Sequence, residues 1–262
     1  MMNFKYKALL SGLFLLILSP VLTAGTSCEQ QEVKPTLYIN SSKKALEVQQ
    51  KLNQLNPEVA LVARVGSDLR QYGLHYSHLA FAVKNYPGAP GKWTIIHLLN
   101  ECNTPHSSLY KQGLMNFFLD DLYTLEYQIT IPNHETQIKL YQALQPKKLH
   151  TLHNKQYSMI AYPFSNKYQN SNQWILEVIA ATLSPKSVIS RDSAQHYLLK
   201  TDYKPSIIKI DMLSKLGASM FNNHIKFDDH PAQEKRSNQF ATVSVISVVN
   251  YLRHQGVLES NI

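Results

Sequence analysis

"YQNSNQWILEVIAATL", residues Tyr168 to Leu183, changes in its middle from small polar side chains to an apolar run. Asn170-Ser171-Asn172-Gln173 leads into Trp174, after which Ile175, Val178, Ile179 and Leu183 recur at helical spacing. That pattern predicts a helix over Asn172 to Leu183 with a polar mouth. Ser171 then has two competing readings. It is a capping hydroxyl, or it is a nucleophile set where free backbone N–H groups and the positive end of the helix dipole favour developing negative charge.

Upstream, the chain reads as one helix, four strands and a second helix. Asn40-Ser41-Ser42 reads as an N-cap for a helix carrying Ala45, Leu46, Val48, Leu52 and Leu55 on one face, stopped at Asn56-Pro57. "VALVARVG" (Val59 to Gly66), "YSHLAFAV" (Tyr76 to Val83), "KWTIIHLL" (Lys92 to Leu99) and "TLEYQITIP" (Thr124 to Pro132) read as strands. Asn133 caps a helix that Pro146 stops. "YSMIAYPF" is extended chain that delivers Asn170. Beyond Pro185, helices are expected near Asp192 to Lys200 and Ile208 to Phe221, followed by a short "HIKF" strand, a "DDHP" turn and an apolar segment from Val243 to Leu252. No internal repeat or long linker divides the chain, so one α+β domain is expected, an antiparallel sheet packed against helices.

His78 and His97 each interrupt an apolar strand, and an imidazole on a half-buried strand is more often structural than reactive. Together with Ser171 they form an ordered series. A strand histidine can take a nucleophile's proton, and a polar residue on the next strand can fix the tautomer of its ring. Those roles fall to Ser171 as nucleophile, His78 as base, and His97 or Asn100 as orienting group, with Asn170, Asn172 and Tyr168 contacting substrate. Tyr157 and Tyr162 also approach this segment, as lining or as packing residues.

Other clusters are weaker. "SSKK" (Ser41 to Lys44) has Ser-x-x-Lys spacing without the companion motifs of penicillin-interacting enzymes. His150 and His153 are spaced to share a helix face but lack a third ligand, and Asp228-Asp229-His230 has ordinary turn composition, so no metal is expected. In "NFFLDD", Phe117 and Phe118 read as core, with Asp120 and Asp121 ending a helix-like turn. No cofactor motif is present.

"YSHLAFAV", "WTIIHLL" and "YQNSNQWILEVIAA" resemble the circularly permuted branch of the papain-like fold, which includes permuted NlpC-type peptidases and the lecithin–retinol acyltransferase relatives. Members carry a strand histidine, a polar residue on the following strand, and a cysteine opening a later helix. Nearly the whole mature chain is similar to an exported bacterial family classed as domain of unknown function 2145. The likeness runs through "VALVARVGSDLRQYGLHYSHLAFAV", "HLLNEC", "NFFLDD", "YSMIAYPFSNKYQNSNQWILEVIAA" and "FDDHP". The resemblance implies a permuted papain-like domain with Ser171 where the peptidases place cysteine. A thiol near pKa 8.5 can be driven to thiolate, whereas a serine needs its proton removed during attack. The expectation is therefore a non-catalytic or degenerate cleft-binding protein. The alternative is a cell-envelope hydrolase or acyltransferase of amide or ester bonds built on a Ser171–His78 pair.

The N-terminus supplies the compartment. Lys5 and Lys7, the apolar run Ala8 to Leu18, and the small residues around Ala24 have the layout of a secretory signal peptide, with cleavage expected after Ala24 and the domain spanning 25–262. A periplasmic or secreted protein follows, with no stable membrane span after cleavage. In an oxidising compartment Cys28 and Cys102, the two cysteines of the chain, are expected to form one disulfide. The 262 residues, 44% hydrophobic and 17% charged, suffice for a packed core. Net charge is +8, or +6 once Lys5 and Lys7 leave with the leader. With no basic block this disfavours nucleic acid and leaves a cell-wall peptide or another envelope component as the expected partner.

Overall fold

The computed structural model describes residues 34–120, 122–186, 188–211, 214–215 and 223–259. The expected leader, the cleavage point and Cys28 lie outside these residues. Strands β1 (Val59–Val65), β2 (His78–Lys84), β3 (Trp93–Asn100), β4 (Ser107–Gln112) and β5 (Thr124–Thr130) form one sheet in the order β4-β3-β2-β1-β5, each neighbouring pair antiparallel. The helices are α1 (Pro35–Leu55), α2 (Leu114–Leu119), α3 (His134–Ala143), α4 (Ser171–Leu183), α5 (Arg191–Lys200), α6 (Ala232–Ser237) and α7 (Val245–His254). A second, two-stranded sheet joins β6 (Ser206–Lys209) to β7 (Gln239–Thr242).

Strand β1 is buried at all seven positions, which explains why "VALVARV" shows no polar alternation. Its two faces serve two cores. Val59, Leu61 and Ala63 join Leu79, Phe81, Val83, Ile96 and Leu98 beneath α3, α4 and α7. Ala60 and Val62 join Ala80, Ala82, Trp93 and Ile95 beneath α1 and α2. The sheet is thus sandwiched between helical layers, and the period-2 geometry of a strand decides which layer each residue meets. Odd-numbered residues of β2 point to α4; even-numbered ones, His78 among them, point to α2.

Helix α1 starts earlier than its sequence cap suggested. Pro35 occupies the first turn, and Asn56, in the left-handed region at φ 51°, closes the helix by bonding Leu52. Ser41 lies inside the helix, buried, and its hydroxyl donates to the Phe118 carbonyl at 2.8 Å. It staples α1 to α2 instead of capping. Lys44 pairs with Glu47, so "SSKK" carries a packing contact and a surface ion pair. The helix expected from Ile208 is also corrected. Ser206-Ile207-Ile208-Lys209 pairs with β7, as β-branched neighbours favour, and the rest of that stretch lies partly outside the described residues. "HIKF" is irregular from Ile225 to Phe227, and Phe227 packs on Phe240 with ring centroids 4.9 Å apart.

Trp174 anchors α4 on the sheet. It is fully buried, with its ring edge-on to Phe81 at 5.8 Å. Truncating it empties the space of a fully buried indole between helix and sheet. Trp174→Ala is expected to lower unfolding free energy by about 3–5 kcal/mol in a denaturant titration.

Candidate functional site

Asn170, not Ser171, caps α4. Its side chain accepts from the Gln173 backbone N–H at 2.7 Å, and the Gln173 side chain accepts in return from the Asn170 backbone, forming a capping box. The Asn170 amide also donates to Thr242 Oγ1 at 3.1 Å and to the Val243 carbonyl at 3.2 Å. Ser171 is the first helical residue, only 8% exposed. Its side chain meets the hydroxyl of Tyr157, a buried ring on the α4 side of the sheet whose pKa burial pushes up and Ser171 partly offsets.

Asn172 performs a different task. Its Oδ1 accepts from the Leu79 backbone N–H at 3.0 Å, and its Nδ2 donates to the Ser77 carbonyl at 3.2 Å. These contacts lie where β2 and β3 part. The ladder between the two strands runs only from Phe81 to Lys84 against Trp93 to Ile96. Beyond it, β3 keeps its pairing with β4 as far as Asn100. An asparagine side chain reaching in from α4 therefore supplies backbone partners at the opened end of β2, where a neighbouring strand would otherwise do so.

His78 and His97 meet across the same gap on the other face. His78 Nε2 and His97 Nδ1 are 2.8 Å apart, and both rings pack against Phe117 of α2, at 6.0 and 5.5 Å between centroids. Arg64 of β1, 4% exposed, lies over the same phenyl ring at 4.7 Å and bonds the Phe117 carbonyl and Asp120. Burial drives His78 well below the ordinary imidazole value, helped by Arg64 and then by His97. Burial and Arg64 hold His97 down to about 3. Both rings are neutral at pH 7.

The structure therefore brings the two histidines together and sets Ser171 apart from them. Among the described residues no hydrogen bond joins Ser171 to His78, because the imidazole points to α2 while α4 packs on the opposite face of the sheet. Asn100 lies on the α4 side, its amide 3.4 Å from His224 Nδ1, and the His224 ring contacts Tyr157 at 5.9 Å. Tyr168 is partly buried, its hydroxyl 3.4 Å from Asp228. Cys102 sits in the turn after β3, and its expected partner Cys28 lies outside the described residues.

The remaining clusters brace the loop that delivers α4. Asp229 accepts from the Tyr162 backbone N–H at 2.8 Å, and His230 lies 2.8 Å from both the Ile160 carbonyl and Glu234. Lys167 pairs with Asp228 at 2.6 Å. His153 Nε2 is 3.3 Å from the Ser107 hydroxyl, and its ring stands 6.3 Å from that of His150. Among the described residues, no group of three or more His, Cys, Asp or Glu side chains could hold a metal ion.

One centre escaped the sequence reading. Glu177, in the middle of α4, is 0% exposed and takes four donors: Arg191 Nε at 2.8 Å, Arg191 Nη2 at 3.0 Å, Gln195 at 2.9 Å and Gln169 at 2.6 Å. Arg191 also donates to the carbonyls of Ser165, Asn166 and Tyr168. Gln169 accepts from the Asn154 backbone at 2.8 Å. The signal was present as a lone carboxylate inside an apolar helix.

A family model described as an uncharacterized protein conserved in bacteria (DUF2145) matches residues 51–252. The chain belongs to that family. No curated protein and no solved structure matches it. The DUF2145 span runs from the last turn of α1 into α7, so it contains Arg64, His78, His97, Ser171, Glu177 and Arg191 together. The sheet, the layer of α3, α4 and α5, and the Glu177 centre thus lie within the DUF2145 span, whereas most of α1 precedes it. No described helix is long and apolar enough to cross a membrane.

Removing Glu177 leaves the Arg191 guanidinium buried without a counter-charge. Glu177→Ala is expected to cost about 3–5 kcal/mol of stability by chemical denaturation, and Glu177→Gln less, because an amide keeps one acceptor. Equal stability of Glu177→Ala and wild type would show that the network contributes nothing.

Proposed function

We propose that the protein serves in the cell envelope as an exported, non-catalytic binding domain of permuted papain-like fold, its cleft at the α4 mouth degenerate. The observation that supports this reading is the separation of the expected partners. Ser171 meets Tyr157 on one face of the sheet, while His78 and His97 bond each other on the other. A serine attacks only if a nearby base takes its proton. The hydroxyl beside Ser171 belongs to a tyrosine that burial keeps protonated at neutral pH, and a phenol in that state is no base. Secretion after cleavage at Ala24 and a Cys28–Cys102 disulfide belong to the same proposal, as does a cell-wall peptide as the ligand class. The two asparagines at the mouth are committed to cap and strand, so ligand contacts fall to groups around them, Tyr168 among them.

One observation favours the hydrolase alternative. A hydrogen bond between His97 Nδ1 and His78 Nε2 is the kind of contact that fixes an imidazole tautomer for catalysis. The two readings separate cleanly. Purified mature protein and Ser171→Ala are treated with a fluorophosphonate probe and, separately, with murein stem peptides. Equal, background labelling of both proteins and peptide binding without turnover are expected. Labelling or hydrolysis that depends on Ser171 would establish the enzyme in place of the binding domain.

A further inference from the structure

We propose that the His78–His97 pair is an acid-released latch, holding β2 and β3 together where their ladder stops and opening that gap when both rings take up protons. The proposal rests on the position of the pair and stands whichever reading of Ser171 holds.

The pair occupies the one stretch where β2 lacks backbone bonds to β3. Below Phe81 the link between the strands is His78 Nε2 to His97 Nδ1 at 2.8 Å on the α2 face, with Asn172 bonded to Leu79 and Ser77 at the opened end of β2. A contact of that length between two ring nitrogens needs one proton and one lone pair. Full protonation removes the lone pair, so the contact cannot persist. A single added proton already places an imidazolium beside the Arg64 guanidinium, which acts on both rings as a like charge. Little nearby can absorb that charge. Asp120, at the end of α2, is engaged by Arg64. Tyr110 of β4 and Phe117 of α2 meet His97 with ring edges or faces, and His97 Nε2 has no partner among the described residues.

The direction follows from linkage. Both rings are held below the ordinary imidazole pKa of about 6.5, His97 at about 3, whereas an opened pair titrates near the ordinary value. The closed state is therefore fully favoured above about pH 6.5 and loses ground as pH falls below it toward about 3. The opening constant rises up to tenfold per pH unit for each proton taken up. Opening separates β2 from β3 at Leu79 and loosens the Asn172 contact, so the α4 mouth becomes accessible in acid.

Hydrogen exchange tests this on the mature protein. Protection factors of the Leu79 and Phe81 amides are compared from pH 7 to pH 4.5 in wild type, His97→Gln and His78→Gln. The expected result is a Leu79 protection that falls at least tenfold per pH unit below pH 6 while Phe81 holds. In either variant, which keeps an amide but loses one titrating ring, the dependence becomes shallower. Leu79 protection that is flat with pH overturns the latch. So does a parallel loss at Leu79 and Phe81, which is global acid unfolding, or an unchanged slope in both variants. If the variants fail to fold, the contrast between the two amides in wild type decides alone.

Discussion

The carboxylate of Glu177 holds the α4 side of the molecule in place. An anion at the centre of an apolar helix is tolerable only when every lone pair is engaged, and here four donors from Arg191, Gln195 and Gln169 converge on it. Through Arg191 the same centre fixes the carbonyls of Ser165, Asn166 and Tyr168; through Gln169 it fixes Asn154. The connection from α3 to α4 has no strand or helix of its own over most of its length. Its conformation is set by this charge, by the acidic turn at Asp228 and Asp229, and by the capping box at Asn170. Asn172 reaches β2, and Asn170 reaches Thr242 of β7, from a helix that is pinned at its middle.

The second constraint is the parting of β2 from β3. Antiparallel neighbours ordinarily satisfy each other's backbone groups along their whole length. Here the ladder stops at Phe81 and Ile96, and side chains take over. Asn172 mimics a peptide unit, accepting and donating through one amide, as a strand residue would. The histidine bond on the other face is a weaker substitute, since it depends on protonation. The sheet is thus continuous in hydrophobic burial yet discontinuous in hydrogen bonding between β2 and β3, and that gap adjoins the helix mouth.

Legibility followed period and composition. The three central strands of the sheet were readable because Val59–Val65, His78–Lys84 and Trp93–Asn100 are largely apolar between clear turn signals. Strand β4 was not, because "SSLYKQ" at a sheet edge carries no apolar run. The helix at Trp174 was readable from its spacing, but the residue serving as its cap was shifted by one or two positions, as helix ends usually are. The histidine pair was recognised as a pair. What sequence could not provide was its face. Strand parity shows that His78 is on the face opposite Leu79, but only coordinates show that Leu79 is the residue meeting α4. Glu177 and Arg191, fourteen positions apart, gave no local pattern linking them.

Parity also decides what Ser171 meets at the helix mouth. A nucleophile and its base must meet across one cavity, so both must leave the sheet on the same side. In this chain Leu79 takes the α4-facing position on β2 and fills it with hydrocarbon, while the imidazole beside it is directed under Phe117. The hydroxyl of Ser171 is then left with Tyr157, a partner that supports packing and does not withdraw protons. A thiol at a helix N-terminus can ionise with water taking its proton, but a serine hydroxyl needs a base beside it during attack. What Ser171 meets is therefore decided by which of two adjacent strand residues faces the helix.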